Sequence, residues 1–111
     1  NHDAEHPQIV TDAKISALGF ALKLKDASME PIFPPNTVII VDPKREPRDR
    51  GYVVAILHNN FEPIFRQLLI NADEKYLKPL SPDLDWYKMT KINKKDNILG
   101  VMVQAKRDWE D

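Results

Sequence analysis

Residues 37–41, Thr-Val-Ile-Ile-Val, are β-branched without a break, and Asp42-Pro43 closes the run. Side chains branched at Cβ lose rotamer freedom on a helix and pack well on a pleated surface, so this run reads as a buried strand. Its surroundings argue against helix as well. Residues 26–36 hold three prolines, Pro31, Pro34 and Pro35, which leaves room for a turn or one short helical turn after Ser28. Upstream, Leu18, Phe20, Leu22 and Leu24 alternate with Gly19, Ala21, Lys23 and Lys25, the period of a strand with one buried face.

Downstream, residues 44–51 form a charged loop, and Gly51 opens the apolar run "YVVAIL". His58-Asn59-Asn60 is expected to turn that run back into "FEPIFRQLL", because Asn tolerates the left-handed backbone of tight hairpins, giving a hairpin over about 52–69. Residues 71–75 make a second turn before "YLKPL", and residues 98–103 supply a late apolar strand. There is no internal repeat and no convincing amphipathic helix. Short strands parted by turn signals at roughly 8 to 12 residue spacing predict a mostly β domain, barrel-like or two-sheeted, with short turns. Residues 1–13 mix charge, His and proline without period and read as a linker or N-terminal arm, leaving 14–111 as the domain.

A length of 111 residues fits one domain around one modest core, and 42% apolar with 30% charged residues is a globular balance. Sixteen basic against 17 acidic side chains give a net charge of −1, without the excess that drives binding to phosphate backbones. The segment is therefore not expected to read DNA itself. With no cysteine, disulfides, thiolate catalysis and thiolate metal sites are excluded, and a cytoplasmic location is the expectation. The longest apolar stretches, such as residues 53–57, fall far below the ~18 to 20 residues of a membrane helix. A start at Asn1 rather than Met leads us to expect a piece of something longer.

Ser28 follows a predicted strand and precedes a proline-bent turn, where a hydroxyl can be fixed near a sheet edge and left reachable. A serine in such a place ordinarily serves the turn. Its context adds more. "SMEPIFPPNTVIIVD", then "RGYVVAIL", "FRQL" and "YLKPLSPD" in that order, resembles the self-cleaving serine peptidase-like domain of LexA, UmuD and phage lambda repressor-type proteins, over about residues 20–108. The resemblance implies a LexA/signal-peptidase-like β fold, a nucleophile at Ser28, no cofactor, a homodimer, and a RecA-type filament as inducing partner in an SOS response. It also implies that DNA is reached only through a helix-turn-helix N-terminal to this chain, with no membrane contact. The general base of that family is a lysine in a segment of the type apolar-Lys-x-Leu. The matching residue here is Arg66, in "FRQL".

That replacement is chemically large. A lysine of ordinary pKa about 10.4 needs roughly 4 to 5 kcal/mol to be neutral at pH 7, within reach of burial, whereas arginine at about 12.5 to 13.8 needs on the order of 8 kcal/mol or more. Arg66 cannot be the base, which leaves the Ser28 hydroxyl without an evident acceptor for its proton. Arg66 can still hold geometry or stabilise charge; as plain structure it would be an exposed strand cation. The chain is thus expected to be the regulatory and dimerising domain of a repressor-like regulator, inactive or weak in self-cleavage. The alternative is an active enzyme using another base. A signal peptidase-like fragment also carries Ser-Met-x-Pro, but it needs a membrane anchor and the same missing lysine. No Ala-Gly pair occurs, so any cleavage site is expected outside this chain.

Where the family often has glycine two positions before the serine, this chain has Asp26, a carboxylate that can pair with Arg66 across the site; where glycine often precedes the next strand it has Asn36, a mild change because Asn tolerates positive φ. Met29 is expected to fill an apolar pocket. His2, His6 and His58 show no metal-ligand grouping beyond the first pair. Asp83 and Asp85 read as a solvated turn, and Lys44, Arg45, Arg48 and Arg50, interleaved with Glu46 and Asp49, as a solvated loop. Residues 98–103, as a late strand with an exposed edge, are the expected dimer surface.

Overall fold

The computed structural model describes residues 18–107. Seven strands follow one another in the chain: β1 Phe20–Lys23, β2 Val38–Asp42, β3 Tyr52–Ile56, β4 Ile64–Asn71, β5 Glu74–Lys78, β6 Thr90–Lys91 and β7 Asn97–Lys106. All pairings are antiparallel, and the sheet order is β1-β2-β7-β3-β4-β5-β6. The fold is mostly β, as the strand-and-turn pattern indicates.

The ten-residue β7 explains how this sheet can wrap a core. Its first half, residues 97–101, pairs with β3, and its second half, residues 101–106, pairs with β2. One long strand thus joins a small wing, β1-β2, to a larger one, β3-β4-β5-β6. Both junctions carry a register shift, at Ile40/Val41 and at Val54/Ala55, and such bulges bend and twist a strand. Between them sits Gly100: a Cβ there would lie 2.6 Å from Val41 Cγ1 and 3.1 Å from Pro43 Cα, so only glycine lets the strands meet. β7 lies between β2 and β3 in the sheet order, its first half paired with β3 and its second half with β2, and the terminal strands among the described residues are β1 and β6.

Alternation along β3 places Val54 on one face and Val53 and Ala55 on the other, and each face has its own core. The first core joins Ile39, Val41, Val54 and Phe65 to Leu24, Met29 and Phe33 from the connection between β1 and β2. The second gathers Val53, Ala55, Leu68 and Leu77, flanked by Ile64, Ile98 and Val101 among others.

The turns divide into those made by local residues and those made by distant ones. Asn36 has φ 74°, as its glycine-like position requires. The β4–β5 turn is tighter than the sequence suggests, with Ala72 at φ 58° and strand resuming at Glu74. Neither Asn59 nor Asn60 has positive φ. That connection is shaped instead by Asp96, whose Oδ1 accepts from the His58 backbone N–H at 2.8 Å and from His58 Nδ1 at 2.9 Å, and whose Oδ2 accepts from Asn93 N–H at 2.9 Å. Asp49 in the charged loop accepts from Ile70 N–H at 2.8 Å, and Asp42 at the end of β2 accepts from Lys44 N–H at 2.9 Å, so both carboxylates serve the backbone.

Hydrogen bonds from Asn93 and His58 hold the Asp96 carboxyl down from an ordinary 3.8 to about 2. A lowered folded-state pKa means that the stabilisation is complete above the ordinary value and is lost as pH falls through the folded one. Asp96→Asn should therefore lower the thermal midpoint near neutral pH, with the wild-type and variant curves converging as pH falls from ordinary carboxylate titration toward about 2. A gap independent of pH, followed by circular dichroism, would contradict this role.

Candidate active site

Ser28 is placed by packing on both sides of it. Met29, 1% exposed, and Phe33 sink into the first core, and a single turn closed by Phe33 N–H to Met29 O at 2.9 Å spans them. Phe33 meets Tyr52 edge-on, with centroids 4.8 Å apart, and Phe65 likewise at 5.2 Å. Phe65 is the neighbour of Arg66 on β4, so this aromatic cluster registers the Ser28 turn against the strand that carries Arg66. The Ser28 carbonyl accepts from Leu80 and Ser81 N–H, each at 2.9 Å, which ties the segment after β5 to the same point.

Ser28 is 2% exposed and lines a cleft of about 540 Å³. The walls come from residues 22–26 at the end of β1, from Asn60, Glu62 and Pro63 in the β3–β4 connection, and from residues 64–66 of β4. Among the described residues β1 is terminal in the sheet, and β4 meets β5 only from Gln67 onward, so residues 64–66 of β4 present one edge to the cleft with no strand beside it.

The structure brings the two site residues singled out from sequence together. Arg66 Nη1 donates to Ser28 Oγ at 2.7 Å and to its neighbour's carbonyl, Phe65 O, at 2.8 Å. Asp26 joins them in a way the sequence reading did not foresee. Its Oδ1 accepts from the Ser28 hydroxyl at 2.7 Å and from the Ser28 backbone N–H at 3.0 Å. Carboxylate and guanidinium thus meet through the serine oxygen, and the expectation that this hydroxyl lacks an acceptor is corrected. The signal was present: an Asp two residues before a turn N–H commonly captures it, and a hydroxyl on that same residue falls within reach.

Burial lowers the Arg66 guanidinium from its ordinary value, and the Asp26 carboxylate and Tyr87 push it back up. Starting above 12, it stays charged at neutral pH. The described contacts give the Ser28 oxygen a permanent cation on one side and a carboxylate on the other. No amine is among its described partners.

Other singled-out residues fall outside this site. His58 pairs with Asp96, and Asp83 closes the turn before Tyr87, whose N–H donates to Asp83 O at 2.9 Å. Among the described residues no group of three or more His, Cys, Asp or Glu could hold a metal ion, and no helix is long and apolar enough to cross a membrane. His2 and His6 lie outside the described residues, as does the arm 1–13.

A β domain that fixes a serine at the head of an open-edged cleft, with a basic side chain on its oxygen, has the layout of a serine peptidase-like domain. Residues 3–103 match the Peptidase S24-like family, and the chain belongs to that family. It is 42% identical over 101 residues to an uncharacterized HTH-type transcriptional regulator of Coxiella burnetii, covering 91% of this chain and 47% of the relative. Over 73 residues it is 44% identical to repressor protein C2 of Salmonella phage P22, covering 66% and 32%. With the HTH-type transcriptional regulator for conjugative element SXT of Vibrio cholerae it shares 39% over 114 residues, covering 98% and 51%. The chain spans about half or less of the length of these relatives.

Truncating Phe33 to Ala should cost about 3–5 kcal/mol in chemical denaturation, the usual range for a buried aromatic. A loss below about 1 kcal/mol, read against that range, would mean the aromatic cluster does not anchor the turn.

Proposed function

We propose that this chain is the C-terminal regulatory and dimerising domain of a cytoplasmic repressor-type transcriptional regulator, with a peptidase-type site that cleaves weakly or not at all. The family match and the repressors among its relatives support the regulatory reading. DNA contact then belongs to a helix-turn-helix outside this chain, in keeping with a net charge of −1.

The observation that carries the silent-site reading is the 2.7 Å bond from Arg66 to Ser28 Oγ. A serine attacks a carbonyl efficiently only when its proton has an adequate acceptor in the transition state. A guanidinium does not give up its own proton to become one. The cleft keeps a binding role in this reading: the edge of β4 before Gln67 favours an extended segment of polypeptide through main-chain hydrogen bonds.

One observation favours the second reading, an active self-cleaving enzyme: the Asp26 carboxylate accepts the Ser28 proton at 2.7 Å. It ranks second on magnitude. Carboxylates as a class are about 6 pKa units less basic than amines, on the order of 8 kcal/mol, and after the roughly 4 to 5 kcal/mol that an amine first needs to be neutral at pH 7 a deficit of about 3 to 4 kcal/mol in proton acceptance remains.

Incubating the full-length protein with and without an activated RecA-type filament, from neutral to strongly alkaline pH, separates the two. The wild type should remain intact or nearly so throughout. Efficient cleavage that vanishes in Ser28→Ala would reject the silent reading. Sedimentation should show a concentration-dependent dimer, and a monomer at every concentration would remove the dimerising part of the proposal.

A further inference from the structure

We propose that Asp26 is a second silencing residue: together with Arg66 it fixes the Ser28 hydroxyl, and it would hold any cation at position 66 in its charged form. The inference rests on the silent-site reading above and says how the silence is built. Ser28 Oγ has one proton, and that proton points at Asp26 Oδ1, 2.7 Å away. The same oxygen accepts from Arg66 Nη1 at 2.7 Å, so carboxylate and guanidinium lie closer than twice that distance. Opposite charges within ~4–6 Å favour each other's ionised forms by about 1 to 3 pKa units.

Two consequences follow for a lysine placed at position 66. Burial of this position favours a neutral amine, and the Asp26 charge opposes that effect. A neutral amine must also accept the Ser28 proton, which is already committed to a carboxylate. Replacing the guanidinium alone therefore leaves the site silent; the carboxylate has to be removed as well. Other charged or titratable groups around the site are Lys23, Lys25 and Glu62 in the cleft walls and Tyr87 beside Arg66. They are unchanged between the variants compared below, so the difference isolates Asp26.

The experiment follows the introduced amine by carbon and nitrogen NMR titration in the full chain, in Arg66→Lys and in the double variant Asp26→Asn with Arg66→Lys. That amine should hold its proton about tenfold or more tightly in the single variant than in the double. Equal titration within a few tenths of a unit would overturn the proposal. If the double variant does not fold, Asp26→Gly with Arg66→Lys takes its place, since residue 26 is exposed and lies in a bend. Cleavage of the full-length protein gives a second readout: only the double variant should gain Ser28-dependent cleavage, and equal cleavage by the single variant would overturn the proposal. Cleavage by the wild type would instead defeat the silent-site reading, and the comparison of the two amine titrations would still decide the role of Asp26.

Discussion

The hydrogen bond from Arg66 Nη1 to Ser28 Oγ sets the chemistry of this domain, and much of the fold serves to make it possible. Ser28 sits on an irregular turn, and Arg66 on a strand 38 residues away. An irregular turn holds a side chain to hydrogen-bonding accuracy only if packing fixes its position. Met29 and Phe33 supply that packing from the turn, Phe65 and Tyr52 receive it, and the Leu80 and Ser81 amides clamp the Ser28 carbonyl. A serine with 2% exposure on so constrained a backbone has little freedom to leave its two partners.

The result is a peptidase-type architecture in which a guanidinium donates to the serine oxygen and a carboxylate accepts from it. In the proposed reading the cleft, the open edge of β4 and the buried serine take an extended chain. The charges beside the hydroxyl, one fixed cation and one carboxylate, compensate each other and leave the oxygen protonated. The half-buried guanidinium loses part of its solvation, and the exposed carboxylate beside it offsets some of that loss. A site of this kind can bind without turning over, which suits the regulatory role proposed for the domain.

Much of the fold was legible because strand formation here is local. The β-branched run at 37–41 and the apolar run after Gly51 became strands, and the alternation at 18–24 did so over its middle, Phe20–Lys23. Asn36 took the left-handed backbone expected at a glycine-like place. What escaped was non-local. The position of β7 inside the sheet depends on partners about 40 to 70 residues away in sequence, about which its own composition says nothing. The β3–β4 connection likewise owes its shape to Asp96 rather than to its asparagines. At the candidate site, "FRQL" and "SMEP" carry two residues that the structure brings into contact, while the part played by Asp26 needed three-dimensional geometry to separate a carboxylate on the serine from one on the arginine.

The central claim concerns the nucleophilicity of one oxygen, and a reagent that reads it directly is a fluorophosphonate, which phosphonylates activated serines without needing a peptide substrate. Intact-mass analysis of the wild-type chain after exposure from neutral to alkaline pH should show no adduct. An adduct mapped to Ser28 near neutral pH would mean that the hydroxyl is activated after all, and the account of this site as charge-locked would fail.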